Sequence, residues 1–205
     1  MRDRDLVRLY WPAQLRPAFD ALFAIDDAMG DVVASSTQPA LGAIRLAWWR
    51  EALERLDTSP PPPEPRLQAV AAELLPRGIS GAEVAELEAG WRTLLDEWPE
   101  LELINRRGAT LFELAAGLLK ANCGGLADAG ALYATMNVER RGIAHGASMA
   151  LGLYGLRFPR KVRPVTMLAA LAARDLSQSR GPMEAEATPG RAVALLRHRL
   201  TGRIS

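Results

Sequence analysis

The chain has 205 residues, 49% of them hydrophobic and 24% charged, which suits one domain with its own core and excludes a disordered segment. A single cysteine, Cys123, excludes an internal disulfide and any cysteine-built metal cage. Arg, Glu or Gly interrupts every apolar run, and the charged start Met1–Asp5 has no apolar stretch behind it, so neither a membrane span nor a secretory signal is expected.

Helical periodicity runs through nearly every segment. A short helix is predicted around Asp5–Tyr10, ended by Trp11-Pro12. Pro17 opens a long helix to about Val33, and Pro39 opens another to about Leu56, because proline is tolerated in a first helical turn. Thr58–Pro65 holds five prolines and no other apolar residue, which reads as a surface linker of polyproline character. Arg66–Leu75 follows, ended by Pro76 and Gly78. Ser80 and Glu83 have capping-box spacing for a helix running to about Trp98, where Pro99 stops it. Thr110 and Glu113 repeat that spacing for a helix ending near Asn122–Gly125. Ala127–Arg141, Ile143–Tyr154, Val165–Ser177 and Gly190–Leu200 complete the set, and Ser179–Pro189 reads as a mobile loop. No strand pattern and no internal repeat appear. The expectation is an all-α, multi-helix bundle forming a single domain over residues 1–205, in the cytoplasm.

Charge is unevenly spread. Residues 138–205 carry 12 Arg/Lys against 4 Asp/Glu, so the near-neutral chain combines an acidic first part with a basic final third. A basic final third suits an anionic membrane surface, a diphosphate or nucleic acid. Its cations are scattered among apolar helical positions, not clustered, which favours internal pairing with the acidic part, and no nucleic acid is expected.

On a helical wheel of Pro17–Val33, Phe19, Leu22, Phe23, Met29, Gly30 and Val33 share one stripe with Asp26 at its centre. A carboxylate there needs a buried partner or a polar cavity. Arg45, on a stripe with Leu41, Ile44, Trp48 and Ala52, is the expected partner. Asp20, Asp27 and Asp31 lie on the adjoining flank, with Asp27 and Asp31 one turn apart, where carboxylates can present oxygens to magnesium.

"LRPAFDALFAIDDAMGDVV" followed by "QPALGAIRLAWWREALE" resembles the first motif block of the squalene/phytoene synthase family. Leu41–Leu53 is similar to the bacterial branch and to a related mitochondrial assembly factor for respiratory complex I. Gly130–Arg141, "GALYATMNVERR", resembles the second block, and "LAALAARDL" with "LLRHRLTGR" the C-terminal one. The resemblance implies an isoprenoid synthase fold in which two facing helices hold magnesium between carboxylates and ionise allylic diphosphates. It also implies that most of those carboxylates are missing. The first aspartate motif falls on Gly30–Ala34 and keeps only Asp31, and the second-block aspartates fall on Arg141 and His145. A pocket walled by Phe19, Phe23, Leu132 and Tyr133 would carry Asp31, Asn137 and Arg141 at its mouth.

Three functions are compatible with these residues. One is a non-catalytic protein without cofactor, binding a prenyl diphosphate or other lipid-like anion, or assembling with a protein partner. Another is a working prenyltransferase whose magnesium site is rebuilt on Asp26, Asp27 and Asp31, with Arg140 and Arg141 taking the diphosphate. The last is a peripheral membrane protein docking through its basic final third. No catalytic residue is assigned: His145 and His198 are too few for a histidine metal site, and Ser148 lacks a nucleophile elbow.

Overall fold

The computed structural model describes residues 2–143, 155–178 and 183–204. α1 (Asp3–Arg8) leads through a single 3-10 turn into α2 (Arg16–Ser35) and α3 (Pro39–Arg55), both with proline in the first turn. The proline tract is non-helical until Glu64, whose carboxylate accepts from the Arg66 and Leu67 N–H groups and so starts α4 (Pro65–Glu73). Ser80 and Glu83 form the expected capping box at α5 (Gly81–Ala85), and Asp57 adds acceptors for the Gly81 and Ala82 N–H groups. α6 (Leu87–Arg92), α7 (Leu101–Leu118), α8 (Leu126–Arg140), α9 (Arg163–Ser177) and α10 (Pro189–Thr201) follow. Among the described residues there is no strand, only an isolated bridge between Arg157 and Arg203, so the class is all-α. Among them also, no helix is long and apolar enough to cross a membrane.

Two expectations fail on helix boundaries. The single helix from Ser80 to Trp98 is instead α5, α6 and a 3-10 turn at Thr93–Leu95, with Asp96 already extended. α5 packs mainly on α3 whereas α6 packs mainly on α7, so the axis must turn between them. The capping box at Thr110 is absent, because α7 starts nine residues earlier at Leu101 and Thr110 lies in its interior. Continuous burial of Ile104, Gly108, Leu111 and Phe112 against the neighbouring helices outweighs that local signal. The expected helix Ile143–Tyr154, with His145 and Ser148, falls outside the described residues except at Ile143, as does 179–182 of the expected loop. The remainder of that loop is tied down. Glu184 accepts from Arg174 Nε at 2.7 Å, and its carbonyl accepts from Arg140 at 3.0 Å.

The core sits where α2 packs on α3, α4, α6 and α7, with α8 laid along α7. Trp11 stacks on Phe19 and Phe23 with ring centroids 4.7 and 5.6 Å apart, and its Nε1 donates to the Pro164 carbonyl at 3.2 Å. Each fully buried aromatic or leucine contributes about 1.5–3 kcal/mol. α7 and α8 touch backbone to backbone at Gly108 and Gly130. A Cβ on either would lie 2.0 or 2.1 Å from the carbonyl oxygen of the other. That contact fixes the height of α8 and hence of the residues at its end.

A second polar interior closes the chain. Arg191 of α10, buried, donates through Nε to both oxygens of Asp3 at 2.9 and 2.8 Å and also binds Asp175 of α9. Arg140 completes the group with a bidentate pair to Asp175 at 2.7 and 2.6 Å. Burial disfavours the Arg191 charge, but the hydrogen bonds and charges of Asp175 and Asp3 outweigh it and raise its pKa.

Candidate functional site

One turn of α2 sends its carboxylates in different directions. Asp26 points into the core, fully buried, where Oδ1 accepts from Arg107 Nη1 and Trp91 Nε1, both at 2.8 Å. Arg107 lies over the Trp91 ring with its guanidinium carbon 3.7 Å from the ring centroid, and donates to the Ala134 carbonyl at 3.1 Å. The expected pairing of Asp26 with Arg45 is therefore wrong. Arg45 lies on an exposed face of α3 with Leu41, Ile44 and Trp48, while Gly42, Leu46, Trp49 and Leu53 face inward. α3 carries apolar residues on both sides, so periodicity alone pointed to the wrong one. Nothing in the local sequence marks Arg107 as the partner, since Glu100, the N-cap of α7, makes no capping bond with its side chain.

Asp27 and Asp31 point the other way, to the mouth of a cleft of about 330 Å³ bordered by α1, α2, α8 and α9. Arg141, the C-cap of α8, bridges them. Its Nη2 donates to Asp27 at 2.7 Å and its Nη1 to Asp31 at 2.8 Å. Arg4 also bonds Asp27, and Arg2 stands 3.6 Å from it. Gly30 makes this approach possible, since a Cβ there would sit 2.9 Å from the Arg141 guanidinium carbon and 2.8 Å from Trp91 Cη2. Burial works against the Arg141 charge, but the hydrogen bond to Asp31 and the nearby aspartates overcome it and raise its pKa.

The cleft walls are mixed. Tyr133, Met136, Leu168, Leu171 and Ala172 supply apolar surface, and Asn137 lies beside them with its Oδ1 buried and unpaired among the described residues. Burial, reinforced by the charges of Asp26 and Asp27, pushes the Tyr133 hydroxyl well above its ordinary pKa, so it stays a neutral donor. Phe19, Phe23 and Leu132 do not line the cleft. They are core residues behind it, Phe23 meeting Tyr133 edge-on at 6.4 Å. Of the residues singled out from sequence, Asp27, Asp31, Tyr133, Asn137 and Arg141 come together at the cleft, and Asp26 and Arg45 do not. The further cations Arg2, Arg4, Arg140 and Arg191 were missed as cleft residues, although Arg140 had been weighed as a diphosphate ligand.

Magnesium, which the sequence resemblance implies, does not fit these residues. A cation on Asp27 and Asp31 would have to displace Arg141 and stand beside Arg4. Asp26, needed for the rebuilt site, is committed to Arg107 in the core. No family model, no curated protein and no solved structure matches the chain. The resemblance rests on the residues quoted above.

Proposed function

We propose that this chain is a non-catalytic, squalene/phytoene synthase-like protein that takes a prenyl diphosphate or similar lipid-like anion into the cleft without a metal ion. The observation that carries this reading is the position of Arg141 between Asp27 and Asp31, at 2.7 and 2.8 Å. In the family that the sequence resembles, two facing helices both bring carboxylates and a divalent cation joins them. Here one helix brings carboxylates and the other a guanidinium, so the helix pair is joined and neutralised internally. No carboxylate pair is then left to hold a divalent cation against a departing diphosphate. The guanidinium groups of Arg2 and Arg141 suit a phosphate geometrically, and the apolar walls suit a hydrocarbon chain. The volume lies at the low end for ligand pockets, which favours one chain over the two that a condensation needs.

Calorimetric titration of farnesyl diphosphate with EDTA and then with magnesium, alongside an assay for released diphosphate, tests the proposal. Binding of equal strength in both buffers with no release is expected. Magnesium-dependent binding accompanied by diphosphate release would establish the transferase instead.

A further inference from the structure

A group of arginines without counter-charge among the described residues lies away from the cleft, on the outer side of α10 and the segment 155–162 packed against its end. The two are joined by the Phe158 N–H donating to the Gly202 carbonyl at 2.8 Å and Arg157 Nε donating to the Thr201 carbonyl at 3.0 Å. Arg163, buried beneath them, donates to the carbonyls of Phe158, Arg199 and Leu200, each at 3.0 Å, and so caps α10.

On this surface Val193, Leu196 and Leu200 follow at helical spacing and are 66, 49 and 68% exposed. Arg197 and Arg199 lie between and beside them on the helix, and Arg157, Arg160 and Arg203 stand at its C-terminal end; none has an ion-pair partner among the described residues. No Asp or Glu occurs from residue 155 to 174 or from 187 to 205. The field is strong enough to act on its neighbour. The Arg163 pKa is lowered by burial first, and then by the charges of Arg157, Arg160 and Arg199. Internal pairing thus accounts for Arg140, Arg141, Arg174 and Arg191 of the basic final third, and leaves this group over.

We infer that this face docks on an anionic lipid bilayer, with the arginines at the headgroups and Val193, Leu196 and Leu200 in the headgroup–acyl boundary. An amphipathic helix lying flat presents this combination, apolar residues along one line and cations flanking it. Anionic headgroups match the missing counter-charge, and the acyl boundary takes apolar surface that would otherwise stay in water. A nucleic acid would satisfy the arginines and leave the three apolar side chains without a partner. The inference does not depend on what the cleft binds.

Flotation of the full chain with vesicles tests it, using phosphatidylcholine alone or phosphatidylcholine mixed with phosphatidylglycerol. Binding is expected only to the mixed vesicles and should weaken as salt rises. Each of Arg157→Gln, Arg197→Gln and Arg203→Gln should lower partitioning about fivefold, and Leu196→Ser with Leu200→Ser should also release the protein. Arg45→Gln with Arg55→Gln, exposed on α3, should change nothing. Melting curves verify that each variant is folded. Failure to float with mixed vesicles, or flotation unaltered in the triple arginine variant, would overturn the inference. So would binding of duplex DNA that matches vesicle binding in strength and survives the leucine changes.

Discussion

Asp26 and Asp27 are neighbours in sequence, 100° apart around α2, and both end in ion pairs with arginine. The first lies in the dry interior, with one guanidinium and one indole N–H fixed against it. The second lies at a rim, with a side chain 16% exposed and three guanidinium groups within reach, while Asp31 beside it is 69% exposed. Interior pairing commits both partners, because neither charge can return to water without unfolding the core. Rim pairing leaves the arginines exchangeable, because solvent or a ligand's own anion can replace the carboxylate at small cost. A structural function therefore belongs to Asp26, and a binding function to Asp27, Asp31 and Arg141.

The largest expected effect tests the interior half of that contrast. Asp26→Ala strands a buried arginine and should cost about 3–5 kcal/mol in urea unfolding. Asp26→Leu combined with Arg107→Met should recover much of the loss, since a buried pair can be replaced by apolar groups of similar volume. Recovery on combining Asp26→Leu with Arg45→Met instead would restore the partner expected from sequence and break the contrast.

Gly30 touches both halves at once. A Cβ there meets the rigid Trp91 ring and the mobile tip of Arg141. Crowding costs about 1–3 kcal/mol, and the gain in helix propensity returns nearly 1 kcal/mol. Gly30→Ala should therefore destabilise by about 1–2 kcal/mol and weaken farnesyl diphosphate binding by displacing Arg141. A fully stable variant with unchanged binding would show that Arg141 does not need this position. Smallest of all should be Arg141→Ala, at about 1 kcal/mol of stability because Asp27 keeps Arg4 and Asp31 stands in water, accompanied by a clear loss of anion affinity in calorimetry. A cost comparable with that of Asp26→Ala would make the rim pair structural too.

How much of this was legible in the sequence depended on whether the signal was local. Prolines in first turns placed α2 and α3, and the Ser80–Glu83 box placed the start of α5, because those devices act within four residues. The wheel of α2 set Asp26 apart from Asp27 and Asp31 correctly for the same reason. Partners across the bundle were not legible. Arg107 lies 81 residues from Asp26, on a helix whose start carries no Ser, Thr, Asp or Asn cap. The α3 stripe of Leu41, Ile44 and Trp48 looked like an inward face because nothing in its spacing distinguishes it from the stripe that is buried. Arg141 stands where a carboxylate is expected and reads as a diphosphate ligand, and its geometry turns that departure into the link between α2 and α8.

The clasp of Asp3 by Arg191 spans 188 residues, and it sets an order of events during synthesis. A ribosome adding about 5–20 residues per second needs on the order of ten to forty seconds between the two. For that time Asp3 has no cation to bind, and Asp175 of α9 has only Arg140. α1 can dock on α2 early through Arg4 on Asp27 and Arg8 on Asp20, but Asp3 at its start stays unpaired until α10 leaves the exit tunnel. One of the first carboxylates to be made is thus among the last to be satisfied, and a truncation before Arg191 would release a chain with a nearly complete core and a stranded Asp3.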